Sequence, residues 1–223
     1  MTALRLAVLT LCAAGVAGAS PARGDGGAIR GRVLFAAATP TVERRPAVGE
    51  LGGGRLRAVD RRQSVVYLDA VPQPAFFELK TQHLRMDQLD EQFAPRVLAI
   101  TVGSTVDFPN SDTKFHNVFS LSRPNSFDLG RYPPGKSDSV RFDKPGIVRV
   151  FCDIHSHMSG YIFVFGHPYF AVTDSDGRYI IPQVPAGVYT LVVWSELGQA
   201  APKKITVTDD AVTETDFQIG RLP

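Results

Sequence analysis

The hydrophobic positions of this 223-residue chain fall in short runs of β-branched and aromatic residues, which clusters of Gly, Pro, Asn and Asp separate. Long apolar stripes at helical spacing are missing. The clearest runs are AIRGRVLF at 28–35, SVVYLDAV at 64–71, RVLAITV at 96–102, IVRVFC at 147–152 and YIFVFG at 161–166. Short strands bounded by turn residues predict an all-β protein, either a sandwich or a barrel.

Two segments between these runs have a different character. Residues 36–63 are polar and rich in Gly and Arg, which predicts a long loop. Residues 72–95 contain three prolines and predict a connector with a helical turn between Leu84 and Leu89.

The first nineteen residues have the pattern of a secretory signal peptide. Arg5 gives a basic start, Leu6 to Val16 is an apolar run too short to span a bilayer, and Ala17-Gly18-Ala19 is a small-residue cleavage site. The alternative is an uncleaved membrane anchor. We therefore predict a periplasmic or secreted protein whose mature chain has no membrane span.

The overall charge excludes one class of partner. The chain has 24 basic and 22 acidic side chains and a net charge of +2, which gives no electrostatic case for binding nucleic acid. It also has no G-x-S-x-G motif and no phosphate-binding loop. We therefore expect a protein that is not an enzyme.

One thiol remains after residue 19, and it lies among other metal-binding side chains. Cys152 cannot form an internal disulfide, so in an oxidising compartment it is either buried and inert or protected by a metal. His155 and Met158 follow it at intervals of three residues, and His116 lies upstream. Two imidazoles, a thiolate and a thioether are the donors of a blue-copper site. The alternatives are a metal-free buried cysteine and a zinc site, although structural zinc prefers more cysteines.

These residues carry a family resemblance. The segments VGSTVDFPNSDTKFHNV and GKSDSVRFDKPGIVRVFCDIHSHMSGYIFV resemble a cupredoxin, with the Cys-x-x-His-x-x-Met loop of the amicyanin type. The resemblance covers about residues 92–166 and implies a Greek-key β-sandwich domain over 82–166. It implies one copper ion per chain, bound by four ligands: His116, Cys152, His155 and Met158. It also implies that Asn117, beside the first ligand, helps to tie the two ligand-bearing loops together.

One residue departs from the family loop. His157 lies between His155 and Met158, where the family has no second histidine. It could face solvent, it could contact a partner and carry the electron, or it could displace Met158 as the axial ligand. The three-residue spacing already satisfies the family loop, so a solvent-facing ring is favoured.

The terminal segments resemble a second family. AVTDSDGRYIIPQVPAGVYTLVVW, at 171–194, looks like the carboxypeptidase regulatory-like domain, a small transthyretin-like β-sandwich whose first strands resemble RGRVLF and SVVYLD. This implies a discontinuous sandwich over 28–80 and 167–221, with the cupredoxin inserted in it. The alternative is that 28–80 adds strands to the cupredoxin. The layout is similar to proteins described as methylamine-utilisation-like or plastocyanin-like.

The resulting functional hypothesis is an exported blue copper protein that carries single electrons to an unidentified redox partner protein. The other candidates are a module that stores, senses or delivers copper, and a structural sandwich with a vestigial site. For a carrier, small or apolar residues around His155, including Phe115 and Ser156, predict an apolar docking surface with Lys114 and Asp153 at its rim.

Overall fold

The computed structural model describes residues 26–35, 61–71 and 79–221. The predicted signal peptide, most of the predicted 36–63 loop and the start of the connector lie outside these residues. Within them the regular elements are all β-strands, so the prediction of an all-β protein is confirmed. No helix in the described ranges is long and apolar enough to cross a membrane.

Nineteen strands follow one another along the described part of the chain. They are β1 (Gly27–Phe35), β2 (Ser64–Leu68), β3 (His83–Arg85), β4 (Asp87–Leu89), β5 (Gln92–Ala94), β6 (Val97–Thr101), β7 (Ser104–Pro109), β8 (His116–Ser120), β9 (Phe127–Tyr132), β10 (Ser137–Phe142), β11 (Gly146–Phe151), β12 (Ser159–Phe165), β13 (Phe170–Val172), β14 (Arg178–Val184), β15 (Gly187–Ser195), β16 (Gly198–Gln199), β17 (Lys203–Val207), β18 (Val212–Glu214) and β19 (Phe217–Arg221).

Strands β3 to β12 form what we call the site sandwich. One sheet has the order β6-β12-β11-β8-β9, a second has the order β10-β7-β3, and β4 and β5 form a hairpin. Alternate residues of β7 point inward, so Val106 and Phe108 are buried beside Phe142 of β10 and Ile162 of β12. Period-two burial from two facing sheets gives a single apolar core.

Strands β1, β2 and β13 to β19 form what we call the terminal sandwich. They make one nine-stranded hydrogen-bonded sheet that folds around its own core. The inward positions of β15 are Tyr189, Leu191 and Val193. Strand β2 pairs antiparallel with β15 and with β13, so residues 64–68 pair with the last third of the chain, as the terminal resemblance implies. The domain boundaries themselves stay a prediction.

The two sandwiches meet at a small cluster of apolar and aromatic side chains. Val65 of β2, Val97 of β6 and Phe163 of β12 are buried there. Trp194 of β15 packs on Tyr161 and Phe163, with ring centroids 4.7 and 4.9 Å apart. The outward faces of β6 and β12 therefore lie against the terminal sandwich, whereas the outward side chains of β11, Ile147 and Arg149, are exposed.

The predicted helical turn between Leu84 and Leu89 is wrong, because these residues form β3 and β4. Met86 and Gln88 are buried and Leu89 is 44% exposed, which is the period-two pattern of a strand. Asp90 and Glu91 both have positive φ, 53° and 54°, and turn β4 back into β5. Type I′ hairpin turns need this conformation at both central residues.

Candidate metal centre

Three neighbouring strands bring the predicted donors to one end of the site sandwich. His116 begins β8, Cys152 follows the last residue of β11, and Met158 precedes the first residue of β12. β11 pairs with β8 through Phe151 and Phe119 and with β12 along its full length. The loop between β11 and β12 is closed by a hydrogen bond from the Met158 N–H to the His155 carbonyl, 2.9 Å.

The nitrogen and sulfur donors converge on one point. The Nδ1 atoms of His116 and His155 are 3.0 Å apart, and each lies 3.9 Å from Sγ of Cys152. The point equidistant from the three atoms is about 2.1 Å from each, close to metal–imidazole bonds of about 2.0–2.1 Å and metal–thiolate bonds of about 2.3 Å. One ion at this point would be within bonding distance of all three donors.

Cys152 lies in an environment that favours its thiolate. The side chain is 4% exposed, and the Asn117 backbone N–H donates to Sγ at 3.5 Å. Burial alone raises the pKa of the Cys152 thiol, but hydrogen bonds from His116 and from backbone N–H groups lower it overall. The thiolate is the form of cysteine that binds metals.

His116 is held in one orientation by a carboxylate. It is fully buried, and its Nε2 lies 3.0 Å from Oδ2 of Asp112, which leaves Nδ1 for the metal. Burial alone lowers the pKa of His116, but hydrogen bonds with Cys152 and Asp112 raise it overall. Such a carboxylate partner fixes the ring and makes the coordinating nitrogen more basic. Asp112 lies four residues before His116, but the sequence analysis did not single it out.

His155 is the partly exposed ligand candidate. Burial has the largest effect on the pKa of His155 and lowers it. The nearby Glu91 carboxylate raises this pKa and His116 lowers it further, so that it is lowered overall. At neutral pH this histidine therefore stays neutral, the form that binds a metal.

Met158 and His157 face opposite environments. Met158 is 1% exposed and belongs to the same apolar core cluster as Cys152. His157 is 40% exposed, and its Nε2 lies 3.1 Å from a carboxylate oxygen of Glu91. The predicted solvent-facing orientation of His157 therefore agrees with the structure, with the addition of an acidic partner that the sequence did not indicate.

Asn117 links β8 to Cys152 through its backbone and not through its side chain. Its amide nitrogen donates to Asp128 at 2.7 Å, and its buried amide oxygen has no hydrogen-bond partner among the described residues. The link between β8 and the cysteine is made instead by the Asn117 backbone N–H. The contact therefore needs a strand at this position rather than an asparagine side chain.

The chain's two other histidines make local contacts away from this site. His83 is paired with Asp107 on the surface, and His167 accepts the Tyr169 N–H at 3.2 Å. Within the described ranges, one group of three or more His, Cys, Asp or Glu side chains could hold a metal ion, and it consists of His116, Cys152 and His155. The residues thus fit a copper ion in number, spacing and softness.

Comparisons with known proteins found solved structures that are similar to part of the chain. No family model matches the chain, and no curated protein matches it. Similar solved structures include a purple cupredoxin from Nitrosopumilus maritimus, with 21% identity, 37% of this chain, 99% of that chain and a TM-score of 0.34. A copper-containing nitrite reductase from Thermus scotoductus SA-01 is 28% identical. The match covers 44% of this chain and 25% of that chain, with a TM-score of 0.35. A reduced variant of amicyanin is 21% identical. The match covers 36% of this chain and 80% of that chain, with a TM-score of 0.34.

At these TM-scores the similarities assign no ligand or activity to this chain. Each match covers somewhat more than a third of this chain, and the match to the nitrite reductase covers a quarter of that protein. The resemblance of the terminal segments to a carboxypeptidase regulatory-like domain is not tested by these structures and stays a prediction.

Proposed function

We propose that this protein is an exported single-copper electron carrier with a type 1 site formed by His116, Cys152, His155 and Met158. The observation that carries the proposal is the convergence of two Nδ1 atoms and one Sγ at bonding distance from a single point. The signal-peptide pattern of residues 1–19 supports export. A carrier needs no substrate pocket at the metal, so we propose that the protein is not an enzyme.

Copper supplies a couple that gains and loses one electron. The chain's own residues hold the donors in place before and after that change. His116 is locked by Asp112, Sγ accepts the Asn117 N–H, and the loop is closed at Met158. Because thiolate and thioether favour Cu(I) and imidazole accepts both states, such a fixed set requires little rearrangement. Burial of Cys152 and Met158 also excludes water from the sulfur atoms.

The surface beside His155 supports electron exchange through that ring. Phe115 is 56% exposed and Ile154 is 40% exposed, and these are the chain neighbours of two ligands. The charges at the predicted rim are paired, Lys114 with Glu91 and Arg131 with Asp153. A surface of apolar side chains and neutralised charges can dock a partner briefly without strong electrostatic steering.

Copper retention together with electron exchange distinguishes a carrier from a copper-delivery module. We expect the copper-loaded protein to exchange electrons reversibly with a small redox protein, at a rate that changes little with salt. We also expect it to keep its copper when challenged with a chelator. Ready release of copper to the chelator without reversible exchange would instead favour storage or delivery. A steep fall of the rate with salt would contradict the apolar docking surface.

Two substitutions test which side chain is axial. Met158→Leu should raise the reduction potential and keep the visible band, because it removes a soft donor but leaves the three close ligands. His157→Ala should leave band and potential near those of the parent, because His157 is bound to Glu91 at the surface. Visible spectra and voltammetry of both variants measure this. A strong spectral change in His157→Ala with a silent Met158→Leu would make His157 the axial ligand.

A further inference from the structure

A single arginine joins the two sandwiches at the end of the ligand loop. Arg96 lies just before β6 and its side chain is 9% exposed. Its Nε and Nη2 donate to the two carboxylate oxygens of Glu196, at 2.9 and 2.7 Å. Glu196 lies in the turn between β15 and β16, so it belongs to the terminal sandwich. This is a bidentate ion pair that is largely buried.

The same guanidinium also holds the residue that follows Met158. Nη1 donates to the backbone carbonyl of Ser159, and Nη2 donates to its hydroxyl at 2.9 Å. The Arg96 carbonyl accepts the Tyr161 N–H at 2.9 Å. The chain from Ser159 to Tyr161 is therefore fixed to Arg96 through side chain and backbone.

Gly160 shows how closely this segment lies on Arg96. A Cβ at position 160 would lie 3.1 Å from the Arg96 carbonyl oxygen and 3.3 Å from Cβ of Phe93. The loop exit therefore has little room to shift toward the core. Besides its ladder pairing with β11, this segment is held at Ser159 by the Arg96 guanidinium.

We propose that Arg96 and Glu196 are positioning residues through which the terminal sandwich fixes the exit of the ligand loop, and with it Met158. The contact sequence is Glu196 to Arg96, Arg96 to Ser159, and Ser159 to Met158 through one peptide bond. The role of Met158 as a donor rests on the proposed function, but the restraint on the loop does not. The terminal sandwich would thus help to position a residue of the metal centre.

Loss of the carboxylate should loosen the loop more than its surroundings. Removing one partner of a buried ion pair leaves the other charge buried without compensation. Arg96 would then have to move toward water, and its two hydrogen bonds to Ser159 would be lost together. Cys152 is 4% exposed and lies at the entrance of the same loop, so its reaction with a small alkylating agent reports loop opening.

The test uses the metal-free full chain and Glu196→Gln. The rate of Cys152 alkylation by iodoacetamide is followed by mass spectrometry of the peptide that contains Cys152. We expect alkylation to be about tenfold faster in Glu196→Gln. Glu214→Gln is the matched control, because Glu214 pairs with Arg30 inside the terminal sandwich with both side chains more than half exposed. We expect its rate to stay within about twofold of the parent.

Hydrogen exchange separates positioning from general stabilisation. In Glu196→Gln the amides of residues 153–160 should exchange faster while those of β1 and β15 keep the parent rate. Equal alkylation in Glu196→Gln and parent, or faster exchange of the same size throughout the terminal sandwich, would overturn the proposal. If Glu196→Gln does not fold, Glu196→Asp, which keeps the charge but shortens its reach, gives the same test.

The metal enters as a second, separate readout. Copper-loaded Glu196→Gln should differ from Glu214→Gln in its visible spectrum or potential if Met158 is a donor. A parent protein that takes up no copper would contradict the proposed function, whereas the alkylation and exchange rates would still decide the positioning role.

Discussion

Cys152→Ser is expected to abolish the intense visible band of the copper-loaded protein. That band requires a thiolate, and Cys152 is the only cysteine after residue 19. A serine hydroxyl is a harder donor and does not ionise at neutral pH, so it cannot replace the thiolate sulfur. Absorption spectra of parent and variant at equal copper and protein concentrations measure the effect.

The variant should still fold, so that the loss can be assigned to the ligand. Sulfur and oxygen differ little in size here, and burying an unpaired hydroxyl costs about 1–3 kcal/mol. Ser156→Ala, a change at an exposed position of the same loop, is the control and should keep the band. A visible band that persists in folded Cys152→Ser would show that the ligand assignment is wrong.

Gly31→Ala is expected to destabilise the protein by about 2–4 kcal/mol, because it places a methyl group where no space exists. A Cβ at position 31 would lie 1.8 Å from the backbone oxygen of Thr215, which also accepts a hydrogen bond from Tyr179. At about 2–4 °C per kcal/mol for a chain of this size, the melting temperature should fall by about 5–15 °C. Thermal unfolding followed by circular dichroism measures it.

This substitution also tests how the terminal sandwich is assembled. Gly31 and Thr215 are far apart in sequence and touch only if β1 lies against the last strands. Gly166→Ala is the control, since a Cβ there meets nothing within 4 Å and the residue is exposed. Parent-like unfolding of Gly31→Ala would contradict the discontinuous arrangement and favour residues 28–80 as extra strands of the site sandwich.

Local patterns in the sequence predicted the longer strands and singled out three side chains that the structure brings together, His116, Cys152 and His155. Alternating burial in β7 and β15 follows the apolar pattern, and Cys152 and His155 are close in sequence as well as in space. The β4–β5 hairpin was mispredicted because its turn is Asp90-Glu91 rather than the Gly or Asn that usually marks two positive φ values.

The supporting residues could not be predicted in the same way. Glu91 reaches His157 from another hairpin, and Arg96 reaches Glu196 across a hundred positions of sequence. The sequence around a charged residue in a turn does not indicate its partner. Whether the charge is buried or exposed depends on which strands pair, and local sequence does not determine that pairing. Asp112 was also missed, although it lies only four residues from the histidine that it orients.

Copper titration of the metal-free full chain, followed by its visible spectrum, tests whether the protein has a type 1 copper site. We expect saturation at one copper per chain and an intense thiolate-to-copper band that bleaches on reduction and returns on oxidation. Saturation with a colourless copper, or no uptake at the His116, Cys152 and His155 group, would contradict a type 1 electron-transfer site.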